Sequence, residues 1–168
     1  MRKWLAIILI IILAGCNAPG GSMPGGNNDN NLGYGYEYDH VTPGGIMLRN
    51  RPADATAYIS DAMLDQMLYD AAVSCAGIAP LTPPLVIYLT DEEWTAHGLG
   101  PATGTTTVGM SYRDHNLVLI RTSWAINPSI HRHEFLHLAI GDPNHTSWLW
   151  GTWCGTIDQF SGWAVEGG

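Results

Sequence analysis

Between Asp54 and Gly77 the apolar positions fall at helical spacing: Tyr58, Ile59, Ala62, Met63, Met67, Leu68, Ala71, Ala72 and Cys75. This pattern predicts one long helix that closes at Gly77. Pro80, Pro83 and Pro84 then break the chain. Leu85 to Thr90 is an uninterrupted β-prone run, which predicts a short buried strand. Asp91-Glu92-Glu93-Trp94 opens a turn or short helix, and Gly98 to Gly104 reads as loop. Two further β-prone runs, Thr105–Tyr112 and Asn116–Arg121, flank Arg113-Asp114-His115 and predict an antiparallel hairpin. A second helix is expected from Pro128 to about Ile140. Asn127 is a good N-cap, Pro128 suits the first helical position, Gly141 is the expected left-handed stop, and Pro143 prevents resumption. A small, mostly antiparallel sheet packed on a long helix and on this second helix is the α+β fold these elements predict.

The N-terminus follows different rules. Arg2 and Lys3 precede an apolar run from Trp4 to Leu13, which is short for a bilayer-spanning helix. A charged start, a short apolar stretch and small residues describe a secretory signal. The ending Leu13-Ala14-Gly15-Cys16 resembles the lipobox of bacterial lipoproteins. That resemblance implies cleavage before Cys16 and acylation of this cysteine, which would hold the protein on a membrane through its lipid. Asn17 stands where an Asp often marks inner-membrane retention, so an outer-membrane site, facing the periplasm or the surface, is favoured in a host that has one. From Asn17 to about Tyr38 the chain is Gly-, Asn- and Pro-rich. It has too little apolar surface to offset the entropy of ordering, and is expected to be a tether. The expected organisation is a signal over residues 1–15, a lipidated cysteine and tether over 16–48, and a single domain over 49–168.

Charge narrows the function classes. The formal net charge is −8, and loss of Arg2 and Lys3 with the signal takes it to about −10. Arg49, Arg51, Arg113, Arg121 and Arg132 are the basic residues of the body, and they are scattered. With no basic patch to neutralise phosphates, nucleic-acid binding is disfavoured. The hydrophobic fraction of 46% is enough to build a core even after the signal is discounted.

The candidate chemistry lies on the second predicted helix, in His133-Glu134-Phe135-Leu136-His137. His133 and His137 are one turn apart, so both imidazoles can reach one ion. Glu134 sits about 100° around the helix from His133, close enough to reach a water on that ion. Zinc brings the pKa of such a water towards neutrality, and a neighbouring carboxylate can take the proton as a carbonyl is attacked. The helix is otherwise largely apolar, with Ile130, Phe135, Leu136, Leu138, Ala139 and Ile140. Two histidines and a glutamate buried there would be costly without a partner such as a metal.

These five residues resemble the active-site motif of the zincin metallopeptidases, and the element order before them resembles that fold more loosely over roughly residues 50 to 145. The resemblance implies zinc bound by His133 and His137, Glu134 as general base, and an edge strand from Thr105–Tyr112 or Asn116–Arg121 that pairs with an extended substrate. A third protein ligand is needed for a site with one open position. Candidates are His145, Asp142 and Glu166, with His145 preferred because the chain turns at Asp142-Pro143-Asn144 and can fold back. Its spacing departs from that of the metzincins, where the third histidine lies six residues after the second rather than eight. Asp142 is alternatively a residue that orients a ligand imidazole. Tyr112 is among the tyrosines that would steady an oxyanion, as in some zincins.

Other residues receive blander readings. His131 points to another helix face and is expected at the surface or in a structural role, while His40, His97 and His115 are expected to be ordinary polar positions. Cys75 and Cys154 are an even pair in an exported chain, expected to form a disulfide, to remain thiols, or, for Cys154, to offer a fourth ligand. Trp148, Trp150, Trp153 and Trp163 are expected to cover the motif helix or to line a subsite. Together these readings predict a monomeric, lipid-anchored zinc peptidase of the bacterial cell envelope acting on peptide or protein substrates. The alternative is a zinc-stabilised lipoprotein that binds without catalysis.

Overall fold

A computed structural model of the chain describes residues 37–99, 107–152 and 154. Its elements are β1 (His40–Val41), β2 (Met47–Arg49), α1 (Ala53–Tyr58), α2 (Asp61–Tyr69), a π-helical turn (Asp70–Cys75), β3 (Leu85–Leu89), α3 (Asp91–Ala96), β4 (Gly109–Tyr112), β5 (Leu117–Arg121) and α4 (Pro128–Ile140). A 3₁₀ turn (Trp148–Gly151) follows α4. The class is α+β, as expected.

The strands form one five-stranded sheet in the order β1-β2-β3-β5-β4. The expectation of a mostly antiparallel sheet is corrected here. The outer pairs β1–β2 and β4–β5 are antiparallel, whereas the inner pairs β2–β3 and β3–β5 are parallel. The predicted hairpin exists, with Asn116 in the left-handed region (φ 48°) at its turn. Residues 105 and 106 of its first predicted run lie outside the described residues.

Burial on both faces explains why β3 and β5 read as continuous apolar runs. Val86, Tyr88, Val118 and Ile120 face a core shared with Leu64, Leu68, Ile130, Phe135 and Leu136. The alternate positions Leu85, Ile87, Leu89, Leu117 and Leu119 face Trp94 of α3 and Met110 of β4. α3 is held in place by a full capping box between Thr90 and Glu93.

Two more expectations are corrected. The single helix over 54–77 is broken, because Ile59 is extended (φ −126°) and Ser60 starts a new helix by accepting from the Met63 amide at 3.2 Å. Beyond Tyr69 the backbone widens into the π turn, and Gly77 (φ 66°) ends it where the sequence placed the stop. The packed body also begins before residue 49. β1 and β2 belong to the sheet, and Ile46 and Leu48 are fully buried in the core. The expected signal (1–15) and residues 16–36 of the expected tether lie outside the described residues.

Candidate metal centre

α4 forms where its caps predict. Asn127 Oδ1 accepts from the Ser129 amide at 2.9 Å, Pro128 occupies the first turn, and Gly141 adopts the left-handed C-cap (φ 65°). Every residue from Ser129 to Ala139 is buried, because α4 packs between α2, the π turn and the sheet's β4 edge. Burial of Ile130, Phe135, Leu136 and Leu138 contributes about 1.5–3 kcal/mol each, which fixes the helix that carries the polar residues.

His133 and His137 point the same way, and His145 folds back to meet them. His133 Nε2 lies 3.2 Å from His137 Nε2 and 3.1 Å from His145 Nε2. Among the described residues, these three form the one group of His, Cys, Asp or Glu placed to hold an ion. Donor atoms about 2.0–2.1 Å from a tetrahedral zinc stand roughly 3.3 Å apart, close to the two spacings seen.

The protonation states suit ligands. The Asp142 carbonyl can only accept, so His137 Nδ1, 2.8 Å away, carries the proton and Nε2 presents its lone pair to the other imidazoles. Burial lowers the pKa of His137 to about 4, against the opposing hydrogen bond to Asp142, and burial likewise lowers that of His145. At most one proton can lie between these three converging nitrogens, whereas a cation accepts a lone pair from each of them. The residues present therefore fit a zinc ion.

Glu134 is buried beside this cluster, against β4. Burial raises its carboxyl pKa to about 8, partly offset by a hydrogen bond with the Ser111 side chain. Its Oε2 is buried with no hydrogen-bond partner among the described residues. β4 admits Glu134 because residue 109 is glycine. A Cβ there would fall 2.6 Å from Glu134 Oε1 and 2.8 Å from its Cγ. Tyr112 is half-buried on the same strand with its hydroxyl towards Met110 Sδ at 3.7 Å. Burial, reinforced by the charge of Glu134, raises its pKa to about 12.

Asp142 serves differently from a ligand. Its Oδ1 accepts from the Asn144 amide at 3.2 Å and the Thr146 hydroxyl at 3.1 Å. Its Oδ2 accepts from the Ser147 amide at 2.6 Å and from Trp150 Nε1 at 2.8 Å. Burial alone would raise its pKa, but these four donors prevail and hold it at about 2. His145, between those donors, is left-handed (φ 55°), which costs a non-glycine residue about 1 kcal/mol.

The tryptophan cover is real for one residue. The Trp150 ring lies 4.8, 4.4 and 4.3 Å from the rings of His133, His137 and His145, centroid to centroid. Trp148 is instead 76% exposed. Trp153, Trp163 and Glu166 lie outside the described residues.

Cys75 and Cys154 form a disulfide, with Cα atoms 5.8 Å apart. This removes Cys154 as a fourth ligand, since a disulfide sulfur offers no thiolate. His131 is not at the surface but fully buried. Its Nδ1 donates to the Asn127 carbonyl at 3.0 Å and its Nε2 accepts from the Tyr88 hydroxyl at 3.0 Å, so its role is structural. His40, His97 and His115 are not in the metal cluster. The sequence did not single out Gly109 or Ser111. A glycine inside a β-prone run was the one available signal for the first.

Compared with known protein families, with curated proteins and with solved structures, the chain matches none of them.

Proposed function

We propose that the chain is a zincin-like, zinc-dependent hydrolase of peptide bonds. The observation that carries this reading is the convergence of His133, His137 and His145 on one point beside a buried glutamate. Three protein ligands leave one position open, the arrangement of catalytic rather than structural zinc sites. When bound, zinc would supply Lewis acidity to a substrate carbonyl and acidify a water. Glu134 takes the proton from the attacking water and delivers it to the departing amine. A cation held by the three histidines would favour the charged form of Glu134, opposing the burial that raises its pKa. Among the described residues β4 is an edge strand of the sheet, so its outward backbone groups can pair with an extended peptide. Ser111 hydrogen-bonds Glu134 from the same strand, which supports reading that edge as the docking strand.

The proposal extends to place. The Leu13-Ala14-Gly15-Cys16 sequence supports lipidation at Cys16 and an envelope location. Among the described residues no helix is long and apolar enough to cross a membrane. Loss of palmitate labelling in Cys16→Ser would support the anchor, and retained labelling would remove it.

The test of function uses the purified full chain. Zinc content and cleavage of an unstructured protein such as casein are measured for the natural protein and for Glu134→Gln. Equimolar zinc in both, with cleavage only by the natural protein, supports the hydrolase. Zinc in both without cleavage favours the non-catalytic binding lipoprotein, and absence of zinc ends both readings.

A further inference from the structure

We propose that Asp142 is the positioning residue of the metal centre, its carboxylate folding the loop after α4 so that His145 becomes a ligand. The inference rests on the reading of the three histidines as a metal site. It adds how the third of them is delivered from a position with no helix or strand to hold it.

Three of the donors to the Asp142 carboxylate come from residues that bracket His145. Asn144 precedes it, and Thr146 and Ser147 follow it. The left-handed backbone of His145 is therefore held from both sides by one side chain three residues before it in sequence. The fourth donor is Trp150 Nε1 at 2.8 Å, which fixes the indole whose ring lies against all three imidazoles. The Asp142 carbonyl in turn accepts from His137 Nδ1 at 2.8 Å. One residue thus sets the tautomer of the second ligand through its backbone and the position of the third through its side chain.

The chemistry requires a carboxylate. Four donors converge on two oxygens, two on each, and only an acceptor-only group receives them all. An asparagine keeps the carbonyl to His137 and nearly the same shape. Its amide nitrogen would instead face two donors, whichever way it turned. Asp142→Asn therefore separates the side-chain role from the backbone role.

The experiment is a zinc titration of the full chain against a competing chelator, in a double-mutant cycle of Asp142→Asn with His145→Ala. Loss of a ligand-orienting partner weakens metal binding by about 10–100-fold, and that is the loss expected for Asp142→Asn. In the His145→Ala background the same substitution should change affinity by less than about threefold, because its effect runs through His145. With cobalt in place of zinc, Asp142→Asn should shift the visible absorption bands towards those of His145→Ala. Natural affinity in Asp142→Asn, or an equal loss in both backgrounds, would overturn the proposal. If Asp142→Asn does not fold, Thr146→Val removes one donor beside His145. Its loss should likewise vanish in the His145→Ala background, and persistence there would overturn the proposal. Failure of the natural protein to bind zinc or cobalt would end the reading of the site itself, a result distinct from these.

Discussion

Gly109 and Glu134 occupy space that admits only one of them a side chain: a Cβ on Gly109 would lie 2.6 Å from Glu134 Oε1. The edge strand thereby fixes where the carboxylate points. Gly109→Ala should displace Glu134 by a fraction of an ångström to an ångström, while the three histidines stay in place. Misplacement on that scale costs about 100-fold in rate. The expected outcome is a drop of that order in kcat, with zinc affinity changed less than about threefold. Peptide hydrolysis and zinc titration on the same preparation would check it, and a parallel loss of both would contradict it.

Zinc should stabilise the folded chain. At a free concentration about 1,000 times its Kd, a ligand that binds only the folded state adds about 4 kcal/mol. Removing it with a chelator should lower the Tm by several degrees. His145→Ala, which removes one of the three converging nitrogens, should reduce that zinc-dependent shift by more than half. Thermal unfolding with and without zinc measures both.

Acid should destabilise the metal-free protein partly through His131, which lies far from solvent. Burial lowers its pKa from an ordinary 6.5 to about 4, the hydrogen bond to Asn127 opposing. Its folded pKa lies below its unfolded one, so the unfolded chain binds the proton more readily between those values. The associated stability is whole above pH 6.5 and is lost as pH falls towards 4. Between about pH 7.5 and pH 5 this group alone accounts for about 2 kcal/mol. Urea unfolding in chelator should show that loss shrinking by about this amount in His131→Gln. An unchanged pH dependence would show that His131 is not buried neutral.

The disulfide joins residues 79 apart in sequence. Closing a loop of that length removes unfolded-state entropy worth about 4 kcal/mol. The double substitution Cys75→Ser and Cys154→Ser should lower the unfolding free energy by about that amount, read from urea denaturation at neutral pH.

How legible was all this in the sequence? α4 was, because its signals are local: Asn127, Pro128 and Gly141 mark its ends, and the spacing of His133 and His137 places both on one face. The return of His145 followed from the turn after the helix, but the agent of that return did not. Asp142 reads from the sequence as a ligand or an orienting group, and two of its four hydrogen bonds come from backbone amides that no residue pattern displays. The pairing of β3 with β5 was equally hidden. Each run is apolar throughout because both its faces are buried, and nothing in a run distinguishes a parallel neighbour from an antiparallel one. β1 and β2 were missed because two or three residues are too few to show alternation. The break at Ile59 was missed because Ile59 fits the helical spacing while itself adopting an extended backbone. His131 was placed by its angle from His133, and that angle points into Tyr88 rather than into water.

The bond between Cys75 and Cys154 also decides how the molecule bears tension. β3, β4, β5, α4 and all three histidines lie inside the covalent ring it closes, while β1, β2, α1 and α2 lie outside. A pull between the two ends of the chain passes from Cys75 directly to Cys154 and bypasses everything between them. The two-residue strand β1 and its antiparallel partner β2 would peel first. The ring, with the three converging histidines within it, would stay slack until the disulfide itself was reduced.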